Sequence, residues 1–211
     1  MYAIFIFVML VSYEATALCL PSVKNPYNEM KMDNYVIENV AKDFTEMADE
    51  NLPSHEQVTV AFEYLNDEIN AEITKTPSGP VITVLGGLLN HPRMNQNVLS
   101  LLLCHELGHY LGGPPLKSRN GWSSTEGQAD YYSGLKCARE FLSSEEEFLK
   151  SALTLTSIYA EVTREPWPQL DQCDTSVVQR TFYGYPKVQC RLDTIIAGWR
   201  NEKRPSCWYF N

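Results

Sequence analysis

The sequence predicts an α+β fold, mainly helical, with a small antiparallel or mixed sheet beside one central helix. Three observations carry this. Val58, Val60, Phe62 and Tyr64 alternate with polar residues, and short apolar runs at Ile69–Ile73 and Val81–Leu85 follow, which together read as a sheet. Residues 98–103 are almost continuously apolar, as in a helix buried on most sides. Several other stretches carry helical periodicity bounded by capping residues and helix breakers.

The elements follow in order. Asp33 to Glu50 places Val36, Val40, Phe44 and Met47 on one helical face, and Asn51-Leu52-Pro53 stops it. The three strand runs come next, with Thr76-Pro77-Ser78-Gly79-Pro80 as a turn and Gly86-Gly87 closing the last strand. That last strand, Val81–Leu85, reads either as a sheet edge open to an extended peptide or as an interior strand. The central helix starts near Met94 or Asn95, after Pro92, and ends at Gly112-Gly113-Pro114-Pro115. His91, just before it, reads as a surface-loop histidine, with a contact to metal or substrate as the alternative. A short polar loop, Leu116 to Trp122, precedes a helix capped by Ser123 or Ser124 and running to about Leu142. Ser144 and Glu147 form a capping-box pattern for a helix to about Arg164. Pro166-Trp167-Pro168 breaks the chain, Thr175–Thr181 is expected to be a short helix, and Gly184-Tyr185-Pro186 turns into a final helix, Val188–Trp199. There is no internal repeat.

The 211 residues are 44% hydrophobic and 20% charged, which suits one domain with a sizeable core. The net charge of −9, with no Lys/Arg cluster, argues against nucleic acid or anionic lipid as a partner. Tyr2 to Val11 is apolar and Ala15-Thr16-Ala17 is an A-x-A cleavage pattern, so residues 1–17 read as a secretory signal peptide. The alternative is an uncleaved anchor or a different start, although the run is short for a bilayer span. Residues 18–211 then form a single domain with no integral membrane segment. Cys19, Cys104, Cys137, Cys173, Cys190 and Cys207 follow Ala17, an even number that reads as three disulfides in an exported chain. The pairing expected is Cys104–Cys137, Cys173–Cys190 and Cys19–Cys207. A lipid anchor at Cys19 is a competing idea that Leu18, too large for a lipobox, argues against.

The chemistry centres on His105-Glu106-Leu107-Gly108-His109, an HExxH pattern at the end of the apolar helix. Residues four apart share a helical face, so His105 and His109 can point two imidazoles at one Zn2+. Glu106 then lies beside them as general base for a metal-bound water. A catalytic zinc site uses three protein ligands and an open position. No histidine follows His109, so the third ligand is expected to be Glu126, with Asp130 four residues later holding an imidazole, His105, by its other N–H. Glu126 could instead be the capping partner of Ser123, and Asp130 could lie on a solvated face. Cys137 shares the face of Asp130 two turns on. A Cys104–Cys137 bridge would therefore pin the two ligand-bearing helices together.

HExxH followed by Glu126-Gly127-Gln128-Ala129-Asp130 resembles the gluzincin metallopeptidases, and within them the ExxAD stretch of the HtpX-like and CAAX-prenyl-protease group. The resemblance implies a zincin-like fold, zinc on His105, His109 and Glu126, Glu106 as general base and Asp130 as support to a histidine. It covers about Val81 to Arg139, together with Tyr185-Pro186 and the later Arg191. There the group often carries His-Pro and Arg, the His lying near the reaction centre. Here Tyr185 stands in the histidine's place, either as a hydrogen-bond donor to a developing oxyanion or as a turn residue. The segment between HExxH and Glu126 is also far shorter than is usual in that group, and its membrane helices are missing. The expectation is an exported zinc metallopeptidase acting on protein or peptide substrates. The alternatives are a non-catalytic zinc-stabilised scaffold and a zinc amidase acting on peptidoglycan.

Overall fold

The computed structural model describes residues 17–18, 20, 23–26 and 32–210. It is α+β. In chain order the elements are β1 (Ala17–Leu18), α1 (Asn34–Asp49), β2 (Thr59–Glu63), β3 (Ala71–Thr76), β4 (Gly79–Leu85), α2 (Gly86–Leu89), α3 (Gln96–Leu111), α4 (Glu126–Tyr132), α5 (Glu145–Thr163) and α6 (Val188–Trp199). A π-helical segment, Ser133–Cys137, and a 3-10 turn, Ala138–Glu140, prolong α4. The expected signal peptide lies outside the described residues except for Ala17, which pairs with Ile73 in β1.

The sheet has the order β1-β3-β4-β2. β3 and β4 form a hairpin whose register closes at Thr76 opposite Gly79, a glycine with φ 125°. β2 runs parallel to β4, with Val60 opposite Ile82 and Phe62 opposite Val84. Val81–Leu85 is therefore an interior strand with both sides bonded, and not the sheet edge considered from sequence. The edge on that side is β2. No local signal encodes this, because the pairing of β2 with β4 spans the whole hairpin.

The sheet and helices share one apolar core from Leu20 to Trp199. At its centre is α3, buried continuously from Val98 to His109 and packed on β3, β4, α1, α4 and α5. Asn95 caps it, accepting from Asn97 and Val98 backbone N–H groups. α1 is capped by Asp33 and buries Ile37, Ala41, Phe44 and Ala48; of the expected stripe only Phe44 is buried, while Val36, Val40 and Met47 are half-buried. α5 is capped by Ser144, while Glu147 reaches back to Ser143.

Three expectations need correction. The segment Thr175–Thr181 is not helical. It runs extended along the tail, with Val178 N–H donating to Ser206 O and Phe182 N–H to Trp208 O. Its β-branched residues disfavour helix, and the tail offers it partners. The helix after the polar loop begins after Thr125 with no side-chain cap, and the Ser124 hydroxyl donates to Gly113 O instead of capping it. Of the disulfides, Cys104–Cys137 is present, but Cys190 pairs with Cys207 and Cys173 is a free, exposed thiol. The tail folds back onto the start of α6, so Cys207 meets Cys190, with Cα atoms 6.0 Å apart. Cys19 lies outside the described residues. No described helix is long and apolar enough to cross a membrane.

α3 and α4 meet at Gly108. A Cβ there would lie 2.7 Å from Ala129 O and 2.9 Å from Ala129 Cα, both backbone atoms that cannot swing away. Gly108→Ala is therefore expected to cost about 1–3 kcal/mol of stability by forcing the helices apart. Chemical unfolding measures this, and an unchanged midpoint would contradict the close crossing.

Candidate metal centre

The HExxH residues occupy the last turns of α3, and Glu126 and Asp130 the first turns of α4. Their crossing at Gly108 brings the two sets together. His105, Glu106, His109 and Asp130 are fully buried and Glu126 is 1% exposed. Glu126 is thus not a solvent-facing capping partner of Ser123, and Asp130 does not lie on a solvated face.

His105, His109 and Glu126 offer ligand atoms that all lie within 4.8 Å of one another. His105 Nε2 is 3.4 Å from Glu126 Oε2, and His109 Nε2 is 3.4 Å from Glu126 Oε1. Two donors bound to one tetrahedral zinc at ordinary distances stand roughly 3.3 Å apart. The spacing fits a metal ion. The chemistry of the donors fits as well, with two imidazole nitrogens and one carboxylate. Moreover, His109 Nε2 and Glu126 Oε2 are buried without a hydrogen bond among the described residues. Burying such atoms unsatisfied is costly, and a shared cation removes the cost.

Outside the donor set, partners fix each ring. His105 Nδ1 is 2.8 Å from Asp130 Oδ1, and His109 Nδ1 is 2.8 Å from the Ser124 carbonyl oxygen. In each ring the Nδ1–H donates, so both histidines present Nε2 to the same point. Asp130 in turn accepts from Arg191 of α6, at 2.8 Å from Nε and 3.0 Å from Nη2. Arg191 Nη2 also lies 3.4 Å from Glu126 Oε2, and its guanidinium sits 4.1 Å from the Tyr159 ring centre. On the opposite side Lys117 Nζ donates to Glu126 Oε1 at 2.7 Å.

The charge states follow from these surroundings. Burial pushes the His109 imidazole down to about 3, so it stays neutral and able to ligate. Burial opposes the Glu126 carboxylate, but the Lys117 ammonium and the Arg191 guanidinium hold it well below the usual carboxylate range. Asp130 is likewise disfavoured by burial, then pulled down by Arg191 and His105. Both acids are therefore ionised across the physiological range.

Among the other residues singled out from sequence, Tyr185 lies on the segment before α6 and is 42% exposed. His91 is not a surface-loop residue. It is fully buried, with Nε2 3.6 Å from Glu161 Oε2 of α5, and belongs to no metal-ligand group among the described residues. Lys117 gave no signal, being one lysine in a polar loop. Arg191 was visible only as part of the resemblance, and its position against Asp130 is new. No protein-family model, curated protein or solved structure matches this chain.

The buried neutral His109 couples folding to pH. An unfolded histidine titrates near ~6.5, so between there and about 3 the unfolded chain binds a proton that the folded chain does not. Stability of metal-free protein is full above that range and falls as pH drops, by up to about 1.4 kcal/mol per pH unit from this residue. His91, also lowered by burial, acts with the same sign. Denaturant unfolding at pH 7 and pH 5 is expected to show a smaller loss in His109→Gln than in the wild type. Equal losses in both would contradict a neutral, buried His109.

Proposed function

We propose that this chain is an exported zinc-dependent metallopeptidase of the gluzincin type. The observation that carries the reading is the convergence of His105, His109 and Glu126 within 4.8 Å, each imidazole Nε2 3.4 Å from a Glu126 oxygen, with a second carboxylate, Glu106, next to His105 on α3. A three-ligand site with an adjacent acid suits catalysis, whereas a structural zinc site is closed by four protein ligands and needs no base. Export rests on the apolar N-terminus with its A-x-A pattern and on the two disulfides, which persist in oxidising compartments.

His105 and His109 would hold the ion through Nε2 and Glu126 through its carboxylate. Bound zinc supplies a Lewis acid that polarises the scissile carbonyl and lowers the pKa of water to near ~7. Glu106 removes the proton of the attacking water and passes it to the leaving amine. Asp130 keeps the His105 proton on Nδ1, and Arg191 keeps Asp130 ionised and oriented. The Ser124 carbonyl does for His109 what Asp130 does for His105. Tyr185, exposed and beside the buried Pro186, is the proposed hydrogen-bond donor to the developing oxyanion.

The test joins metal analysis to kinetics. Purified full chain is expected to bind about one zinc, and Glu106→Gln to keep that zinc while losing roughly 10²–10⁴ in the rate of peptide hydrolysis. Cleavage by the variant at the native rate would falsify the role of Glu106. No zinc in the purified chain, and none taken up on reconstitution, would remove the enzyme reading altogether.

A further inference from the structure

The loop between the two ligand-bearing helices is pinned at its base. Thr125 N–H donates to Pro115 O, Lys117 N–H donates to Ser123 O, and Leu116 bridges Ser124. Lys117 therefore has a fixed root, and its ammonium ends on Glu126 Oε1. With Leu116 and Arg119, Lys117 also lines a cavity of about 600 Å³ whose other walls include Thr181, Tyr183 and Tyr209. Lys117 thus links the cavity wall to Glu126, itself outside the lining.

Its charge is unlike that of the rest of the molecule. The chain as a whole carries −9, yet two cations line this cavity and no acidic side chain among the described residues does. Arg119 is exposed and makes no hydrogen bond or ion pair with described residues. A third cation, Arg204, lies with its guanidinium 5.0 Å from the centre of the Tyr209 ring. Three hydroxyls, on Thr181, Tyr183 and Tyr209, add neutral donors. Lys117 is paired with Glu126, so the net excess lining the cavity is the single cation of Arg119, which draws an anion into the concavity while Lys117 keeps further N–H donors to offer it.

We propose that this cavity is a substrate subsite that takes a peptide carboxylate beside the scissile bond through Lys117 and Arg119. The assignment rests on the peptidase reading above, which supplies the peptide. Lys117 has three ammonium donors and spends one on Glu126, and the planar guanidinium of Arg119 suits two-point binding of a carboxylate. The carboxylate can come from an acidic side chain or from a peptide C-terminus.

Full-chain Glu106→Gln protein loaded with zinc serves as the binding probe. Four fluorescent peptides of one sequence are compared by anisotropy: Glu-bearing and amidated, Gln-bearing with a free C-terminus, Gln-bearing and amidated, and Lys-bearing and amidated. At least one carboxylate peptide is expected to bind roughly tenfold more tightly than the neutral one, with the advantage shrinking as salt rises. Whichever carboxylate gains assigns the source. Arg119→Glu, a change at an exposed side chain, is expected to abolish the advantage and favour the Lys-bearing peptide. Equal binding of all four peptides, or of none, overturns the subsite. Hydrolysis of the same panel by zinc-loaded wild type separates the two ideas. Carboxylate-selective binding without any cleavage sinks the peptidase reading alone. Cleavage with no carboxylate preference sinks the subsite alone.

Discussion

Two ionised carboxylates, Glu126 and Asp130, are buried within one turn of each other, and the rest of the molecule is arranged to make that tolerable. A buried acid with no counter-charge would take up a proton or unfold the chain. Here Arg191 grips Asp130 with two donors, Lys117 reaches Glu126, His105 faces both acids and His109 faces Glu126. Each compensating group comes from a different place: α6, the polar loop and α3. The charge balance therefore exists only when all three are docked on α4. A buried pair of this kind is weak evidence of stability. Its value here is to fix the two rings and the Glu126 carboxylate in one geometry.

The covalent framework serves the same end. Cys104 directly precedes His105, and Cys190 directly precedes Arg191. The first bridge ties α3 to the π-helical end of α4, and the second ties α6 to the tail. Trp208, next to Cys207, is fully buried against Gly127, where a Cβ would lie 2.4 Å from the indole. The tail thus presses on the turn of α4 that carries Glu126. Both disulfides restrain the backbone beside a residue of the metal centre, so reduction should loosen the site as well as the fold.

Much of this was legible in the sequence, and what was not has a physical reason. The HExxH spacing and the Glu126-to-Asp130 spacing are helical facts, and they identified the donors that converge. Periodicity and caps placed α1, α5 and α6 closely, Val188–Trp199 to the residue. The interior position of β4 was hidden because strand order is a long-range property. The Cys190–Cys207 pairing was hidden because parity says nothing of partners. Thr175–Thr181 misled because its extended form depends on a tail it meets only after folding. Lys117 carried no pattern at all, as its role comes from a pinned loop that aims a single flexible side chain.

The proposed function requires α3 and α4 together to hold zinc through three ligands, with Glu126 as the third donor. Anomalous diffraction at the zinc edge from crystals of the zinc-loaded chain tests it most directly. One strong peak is expected, bonded at about 2.0–2.2 Å to His105 Nε2, His109 Nε2 and a Glu126 oxygen. A peak elsewhere, or one at the histidines with Glu126 still held by Lys117 and away from the ion, would contradict it.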